Sequence, residues 1–158
     1  MRQGTMVYAR ETFAGIRDEV MPLLQAHYLE VAHYKDIPLD VDVAAYDAVE
    51  AAGAFRVYTA RTGAGALVGY AAFFVRANGH YRGSLQAVQD VLFVLPEARG
   101  LGGELIRYAE EQLTREGVQV VYQHIKVATP RTAALMERLG YEAVDTIFAK
   151  RLDRAVGD

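Results

Sequence analysis

The run DVLFVLPEARGLGGEL, Asp90 to Leu105, constrains this chain more than any other stretch. Its first half, rich in Val, Leu and Phe, has the composition of a buried strand. Pro96 ends that strand, and the glycine-rich turn from Arg99 to Gly103 opens a helix. Such a junction leaves unpaired backbone N–H groups at the positive end of a helix dipole, a place suited to phosphate oxygens. Glycines also occur in strand-to-helix connections for conformational freedom alone. The run by itself leaves both readings open. Two nucleotide motifs are excluded: GxGxxG would need glycine where Leu105 stands, and the Gly-Lys-Ser/Thr of a P-loop is absent.

The flanks set the fold class. A strand is expected at Met6–Arg10, then a helix from Phe13 to Ala32 with Ile16, Val20, Leu23, Leu24, His27 and Val31 on one face. After a loop at His33–Pro38, Asp42 is a candidate N-cap for a short second helix, with Gly53 beyond its end. Phe55–Ala60 and Leu67–Arg76 read as strands joined by the RTGAG turn, Asn78–Ser84 as a loop, and Leu85–Leu95 as the strand entering the glycine turn. The next helix, Gly102–Glu116, places Leu105, Ile106, Ala109 and Leu113 on one face. Val118–Val127 is a β-branched strand, Thr129-Pro130 starts another helix, and Tyr141–Leu152 forms one or two closing strands. The order is mixed α/β. Three consecutive strands before the glycine turn exclude a doubly wound sheet, in which strands and helices alternate.

The 158 residues suit one domain, 1–158, with a core of its own. There is no cysteine, which removes disulfides, thiolate metal sites and a cysteine nucleophile. The four histidines show no ligand spacing, so no metal is expected. A net charge of −3 without a basic stripe disfavours nucleic acid, and neither a signal peptide nor a membrane-length apolar run appears. The expected location is the cytoplasm.

Arg99-Gly100-Leu101-Gly102-Gly103-Glu104 is similar to the signature Arg/Gln-x-x-Gly-x-Gly/Ala of the GNAT superfamily of acetyl-CoA-dependent N-acetyltransferases, with Glu104 in place of the last small residue. Thr129–Tyr141, TPRTAALMERLGY, corresponds to that family's Asn-x-x-Ala-x-x-x-Tyr-Glu-Lys-x-Gly-Phe pattern, and the element order over about residues 5–152 also matches. HYKDIPLD and GVQVVYQHIK resemble members met in phage and prophage genomes. The resemblance implies a central, mostly antiparallel sheet of six or seven strands. The fourth and fifth strands would splay apart, and about four helices would flank the sheet.

The resemblance also implies the binding of acetyl-CoA (coenzyme A). Amides from Arg99 through Gly100, Leu101 and Gly102 to Gly103 would take the pyrophosphate, Glu104 would point to solvent, and the backbone of Leu92 and Val94 would pair with the pantetheine arm. The N–H of Leu92 or Phe93 would polarise the thioester carbonyl. Asp90, expected on the same strand face as Leu92, would be a general base acting through water, or a structural tether. Met136 falls where the family usually carries the tyrosine that protonates the departing thiolate. His124 and Tyr122, expected on one face of the fifth strand, are the candidate replacements, with plain sheet packing as the other option. Thr129 would cap its helix, contact pantetheine, or both, and Arg131 would reach the phosphates or lie in solvent. Tyr34, His80 and Tyr81 are candidate acceptor contacts on loops. The implied function is acetyl transfer to a primary amine of a small molecule or peptide, with homodimerisation possible. The rival from another class is a catalytically weak acyl-CoA-binding or partner-binding module, favoured by Met136. A second rival, acetylation of aminoacyl-tRNA, is disfavoured by the charge.

Overall fold

The computed structural model describes residues 4–154. Five strands form one sheet in sequence order: β1 (Met6–Glu11), β2 (Phe55–Thr62), β3 (Leu67–Asn78), β4 (Tyr81–Val94) and β5 (Val120–Tyr122). The first four pair antiparallel, and β5 runs parallel to β4. Helices α1 (Phe13–Val31) and α2 (Val43–Ala51) cover one face, and α3 (Gly102–Arg115) covers the other. Helix α4 (Pro130–Arg138) lies beside the start of α3, where Leu135 approaches Gly102 and Gly103.

Local chemistry accounts for these elements. Thr12 caps α1 through Gly15 N–H (3.0 Å), and Asp42 caps α2 through Ala45 N–H (3.0 Å), as expected of Ser/Thr/Asp at that position. Helix α2 is tied to α1 twice: Glu50 accepts from Phe13 N–H at 2.7 Å, and Arg17 grips both oxygens of Asp47. Ile16, Val20 and Leu23 of α1 bury against Val57, Tyr70 and Phe93, while Leu105, Ile106, Ala109 and Leu113 of α3 are nearly inaccessible.

Three expectations fail. The Asn78–Ser84 loop is absorbed into a long β3–β4 hairpin whose strands meet at Asn78↔Tyr81. The fifth strand spans three residues rather than ten. The closing strands do not form: residues 142–150 carry no regular structure, with Val144 68% and Phe148 91% exposed. The segment is instead held at its end, where Arg151 pairs with Asp36 (3.0 Å) and Asp153 and lies over the Tyr34 ring.

The end of β4 is fixed by close backbone contact. A Cβ on Gly69 of β3 would come within 3.0 Å of both Phe93 O and Val94 Cγ2. Gly69→Ala should therefore destabilise by about 1–3 kcal/mol through overpacking. Gly79→Ala, where a Cβ meets nothing within 4 Å, should be near neutral. Thermal unfolding of the two variants checks this.

Candidate active site

Strand β4 is irregular at one residue. Val91 pairs with Ala72 and Gln89 with Phe73, leaving Asp90 as the extra residue of a β-bulge. A bulge reverses the alternation of a strand, and the contacts show the reversal. Before it, Leu85 and Ala87 face α3, and Leu85 C=O accepts from Gln119 N–H on the β5 side. After it, Leu92 and Val94 face α3, while Val91 and Phe93 face α1. Asp90 and Val91 thus both line the α1–α2 side, and Asp90 does not share a face with Leu92 as strict alternation had implied.

The backbone reverses with the side chains. Leu95 N–H donates to Val68 O of β3 at 2.8 Å, so by alternation Phe93 also points to β3, and Leu92 and Val94 point away from it. That removes Phe93 N–H as a donor toward the β5 side and leaves Leu92. On that side the ladder ends at Val88↔Tyr122. Beyond it the Gln89 side chain accepts from His124 N–H (2.7 Å), replacing a ladder bond as β5 diverges. The splay expected between the fourth and fifth strands is present.

The glycine turn follows. Gly100 has φ +107°, a conformation that favours glycine. The first helical bond of α3 runs from Leu105 N–H to Leu101 O, so Gly102, Gly103 and Glu104 amides have no intrahelical acceptor, and no side chain caps them. Arg99 and Leu101 N–H make long bonds of 3.3 and 3.4 Å within the turn. The amides of the turn left without an acceptor are therefore those of Gly100, Gly102, Gly103 and Glu104, one residue further along than the Arg99–Gly103 run expected. The Glu104 side chain is exposed, as expected, and there accepts from Tyr8 hydroxyl of β1 (2.8 Å). Arg99 pairs with Glu30 of α1.

On the α1–α2 side lies a cavity of about 220 Å³. Asp90 Oδ2 accepts from Tyr46 hydroxyl of α2 at 2.8 Å. Burial raises the Asp90 carboxyl above its ordinary range, partly opposed by the Tyr46 bond. Tyr70 lines the same cavity, 3% exposed, and its hydroxyl has no partner among the described residues. Next to this cavity His27 stacks on Phe93 at 5.0 Å, and burial lowers its pKa.

The other expected site residues scatter. Tyr122 ends β5, half-buried, and His124 lies beyond it on exposed chain rather than on the strand. Thr129 does not cap α4; its hydroxyl donates to Lys126 O (2.8 Å). Arg131 is exposed, and Met136 is buried in the core. Tyr34 packs on His33 and beneath Arg151 in the α1–α2 loop. His80 and Tyr81 sit at the hairpin tip, roughly 30 Å along β4 from Asp90 at ~3.4 Å per residue; they do not join the site. Tyr46, Tyr70, His27 and Gln89 are the site residues that sequence reasoning missed. Nothing but an aromatic on each of two elements pointed to the first pair. Among the described residues no group of three or more His, Asp or Glu is placed to hold a metal, and no helix is long and apolar enough to cross a membrane.

Comparison with known proteins agrees with this geometry. The acetyltransferase (GNAT) family matches residues 17–141. The fold is shared with a ribosomal-protein-alanine N-acetyltransferase from Brucella melitensis biovar Abortus 2308 (17% identity, 94% of this chain and 99% of that one, TM-score 0.70). It is shared with an aminoglycoside N-acetyltransferase solved with CoA (18% identity, 97% and 98%, TM-score 0.73). A predicted acetyltransferase from Clostridium acetobutylicum, solved with acetyl-CoA, is also similar (11% identity, 94% and 97%, TM-score 0.68). No curated protein matches the sequence.

The raised Asp90 pKa has a stability consequence. Because the folded value lies above the unfolded one, stability is lost as pH rises from the ordinary carboxylate range through the raised value. Asp90→Asn keeps an acceptor for Tyr46 and removes the buried charge. At neutral pH it should raise Tm. The gain should shrink as pH falls toward the ordinary carboxylate range; melting curves across pH check it.

Proposed function

The chain belongs to the acetyltransferase (GNAT) family, whose members are acetyl-CoA-dependent acyltransferases, and on that premise we propose that it acetylates the nitrogen of an amine that reaches Asp90 from the α1–α2 side. One observation carries the reading. The bulge sets a half-buried carboxylate, Asp90, within two residues of a backbone edge, Leu92, that faces the gap between β4 and β5.

Acetyl-CoA supplies a thioester whose carbonyl carbon accepts the amine nitrogen and whose sulfur leaves. Four features of the chain support its binding. Amides of Gly100, Gly102, Gly103 and Glu104 point out of the turn with the α3 dipole behind them. Arg99 exchanges Glu30 for phosphate. Leu92 and Val94 offer their open edge to an amide-bearing arm in the manner of strand addition. Leu92 N–H donates to the carbonyl oxygen as negative charge develops there.

Asp90 handles the proton. An ammonium must lose one proton before attack and the nitrogen a second after the N–C bond forms. A carboxylate raised by burial is a better acceptor than one in water. Tyr46 fixes its orientation by occupying Oδ2 and leaving Oδ1 toward the cavity. Met136 cannot protonate the leaving sulfur. A thiol with pKa about 8.5 leaves as thiolate near neutral pH at modest cost, and His124 and Tyr122, on the β5 side, are the groups that would return a proton. A weakly catalytic acyl-CoA-binding module is the second reading, favoured by Met136 alone.

Acetyl-CoA should raise the melting temperature, by the equivalent of about 2.7 kcal/mol at a hundredfold excess over Kd; no shift at millimolar acetyl-CoA would refute the reading. Asp90→Asn should lower kcat by about 10²–10⁴-fold with the acetyl-CoA Kd unchanged, and the wild-type rate should fall as pH drops through the raised Asp90 value. Full thiol release by the variant would remove Asp90 from the chemistry, and no thiol release by the wild type with any amine would favour the binding module.

A further inference from the structure

The cavity beside Asp90 limits what amine can enter it. Its walls are aliphatic and aromatic side chains, among them Ile16, Val20 and Leu24 of α1, Leu39 and Val41 of the α1–α2 loop, and Val57 of β2. The charged residues lining it are Asp40, Asp42 and Asp90; no Lys, Arg or His lines it among the described residues. Asp42 is engaged in capping α2, and Asp40 is exposed at the mouth. The second Asp90 oxygen carries no hydrogen bond, while the Tyr70 hydroxyl is buried out of reach of the cavity's open space.

We propose that the acceptor is a compact alkyl- or arylalkylamine, a cationic nitrogen on an apolar body that carries no carboxylate, phosphate or ring of hydroxyls. The proposal rests on the transferase reading above and names its substrate class. Three physical arguments converge. An anionic group on the substrate would meet three carboxylates with no cation to offset them, whereas an ammonium is drawn toward them. A polyhydroxylated body would bury hydroxyls against Ile, Val and Leu, each unpaired group costing about 1–3 kcal/mol. An apolar body gains instead, at roughly 25 cal/mol per Å² removed from water. Size points the same way: at about 220 Å³ the cavity lies below the ~300–1,000 Å³ typical of drug-sized ligands, too small for several sugar rings. The unused polar atom suits one nitrogen: Asp90 Oδ1 accepts an N–H.

In the transfer the amine nitrogen forms a bond to the acetyl carbon, the C–S bond breaks, and the electron pair leaves with sulfur. The nitrogen's proton passes to Asp90, and CoA departs as the thiolate or thiol.

The test is a thiol-release assay on the full chain with acetyl-CoA. It compares phenylethylamine and hexylamine with phenylalanine, glucosamine, an aminoglycoside and a short peptide beginning with phenylalanine. The expected result is a kcat/KM for phenylethylamine about a hundredfold above that for phenylalanine, which differs by the carboxylate alone, and above those for the sugars. Equal or better use of phenylalanine, glucosamine or the aminoglycoside overturns the proposal, and so does preference for the peptide, which would make the acceptor a chain terminus. Leu39 is on the exposed side of the cavity, so Leu39→Lys should fold normally and bind acetyl-CoA as before. It should lower kcat/KM for phenylethylamine at least tenfold and narrow the gap to phenylalanine; an unchanged gap counts against the cavity as the acceptor site. Calorimetric binding of phenylethylamine without acetyl-CoA separates the two levels. Binding that Leu39→Lys weakens supports the cavity assignment even if no acetyl transfer is found. An absence of binding at millimolar amine, in protein that does bind acetyl-CoA, overturns the substrate class and leaves the transferase reading intact.

Discussion

A single surplus residue in β4 organises the site. In a regular strand Asp90 and Leu92 would share a face, and the amide of Leu92 would point to β3. The bulge at Asp90 turns both relations over. Asp90 and Val91 face the cavity under α1 and α2, and the amides of Leu92 and Val94 face the gap toward β5. The same irregularity ends the β4–β5 ladder, since Gln89 meets His124 through its side chain instead of its backbone. The placing of Asp90, the facing of the Leu92 amide and the gap toward β5 all follow from one insertion in a hydrogen-bonded ladder.

The two sheet faces divide the work. The α3 face is packed and dry, and its contribution is the exact placing of the helix start: Leu105, Ile106 and Ala109 lock the first turns, so the free amides of Gly102 and Gly103 cannot shift. The α1–α2 face is less completely filled, and its hollow holds an ionisable group raised by burial. Helix α2 keeps Tyr46 against Asp90 because Glu50 and Asp47 bind it to the start of α1. Stability is spent there on a carboxylate in apolar surroundings, the arrangement proton transfer from an amine requires.

The loop that roofs this hollow is held from both ends of the chain. Tyr28 of α1 donates to Lys35 O and Ile37 O, and Arg151, beyond the exposed segment 142–150, pairs with Asp36 and covers Tyr34. Tyr34, expected to touch the acceptor, is thereby engaged in fixing the loop. The residues that line the cavity from that loop are Leu39 to Asp42, five to eight positions later in sequence.

Helices and the glycine turn were legible in the sequence because each rests on neighbours within a few residues: Asp42 before its helix, the 3.6-residue apolar stripe of α3, the glycines at its start; the cap expected at Thr129 does not form, since its hydroxyl turns to Lys126 O. The family pattern in Arg99–Glu104 and Thr129–Tyr141 made the fold and the cofactor legible as well. Strand extents were less so. β5 stops at Tyr122 because its partner bulges, and residues 142–150 form no strand. The side chains around Asp90, those of Tyr46 and Tyr70, come from elements distant in sequence, and only packing of α2 onto the sheet brings them together. Local order thus belongs to the sequence, since its determinants are short-range hydrogen bonds and periodicity. Register, facing and the contents of the cavity belong to the tertiary structure, since a one-residue offset in a strand reverses every direction after it.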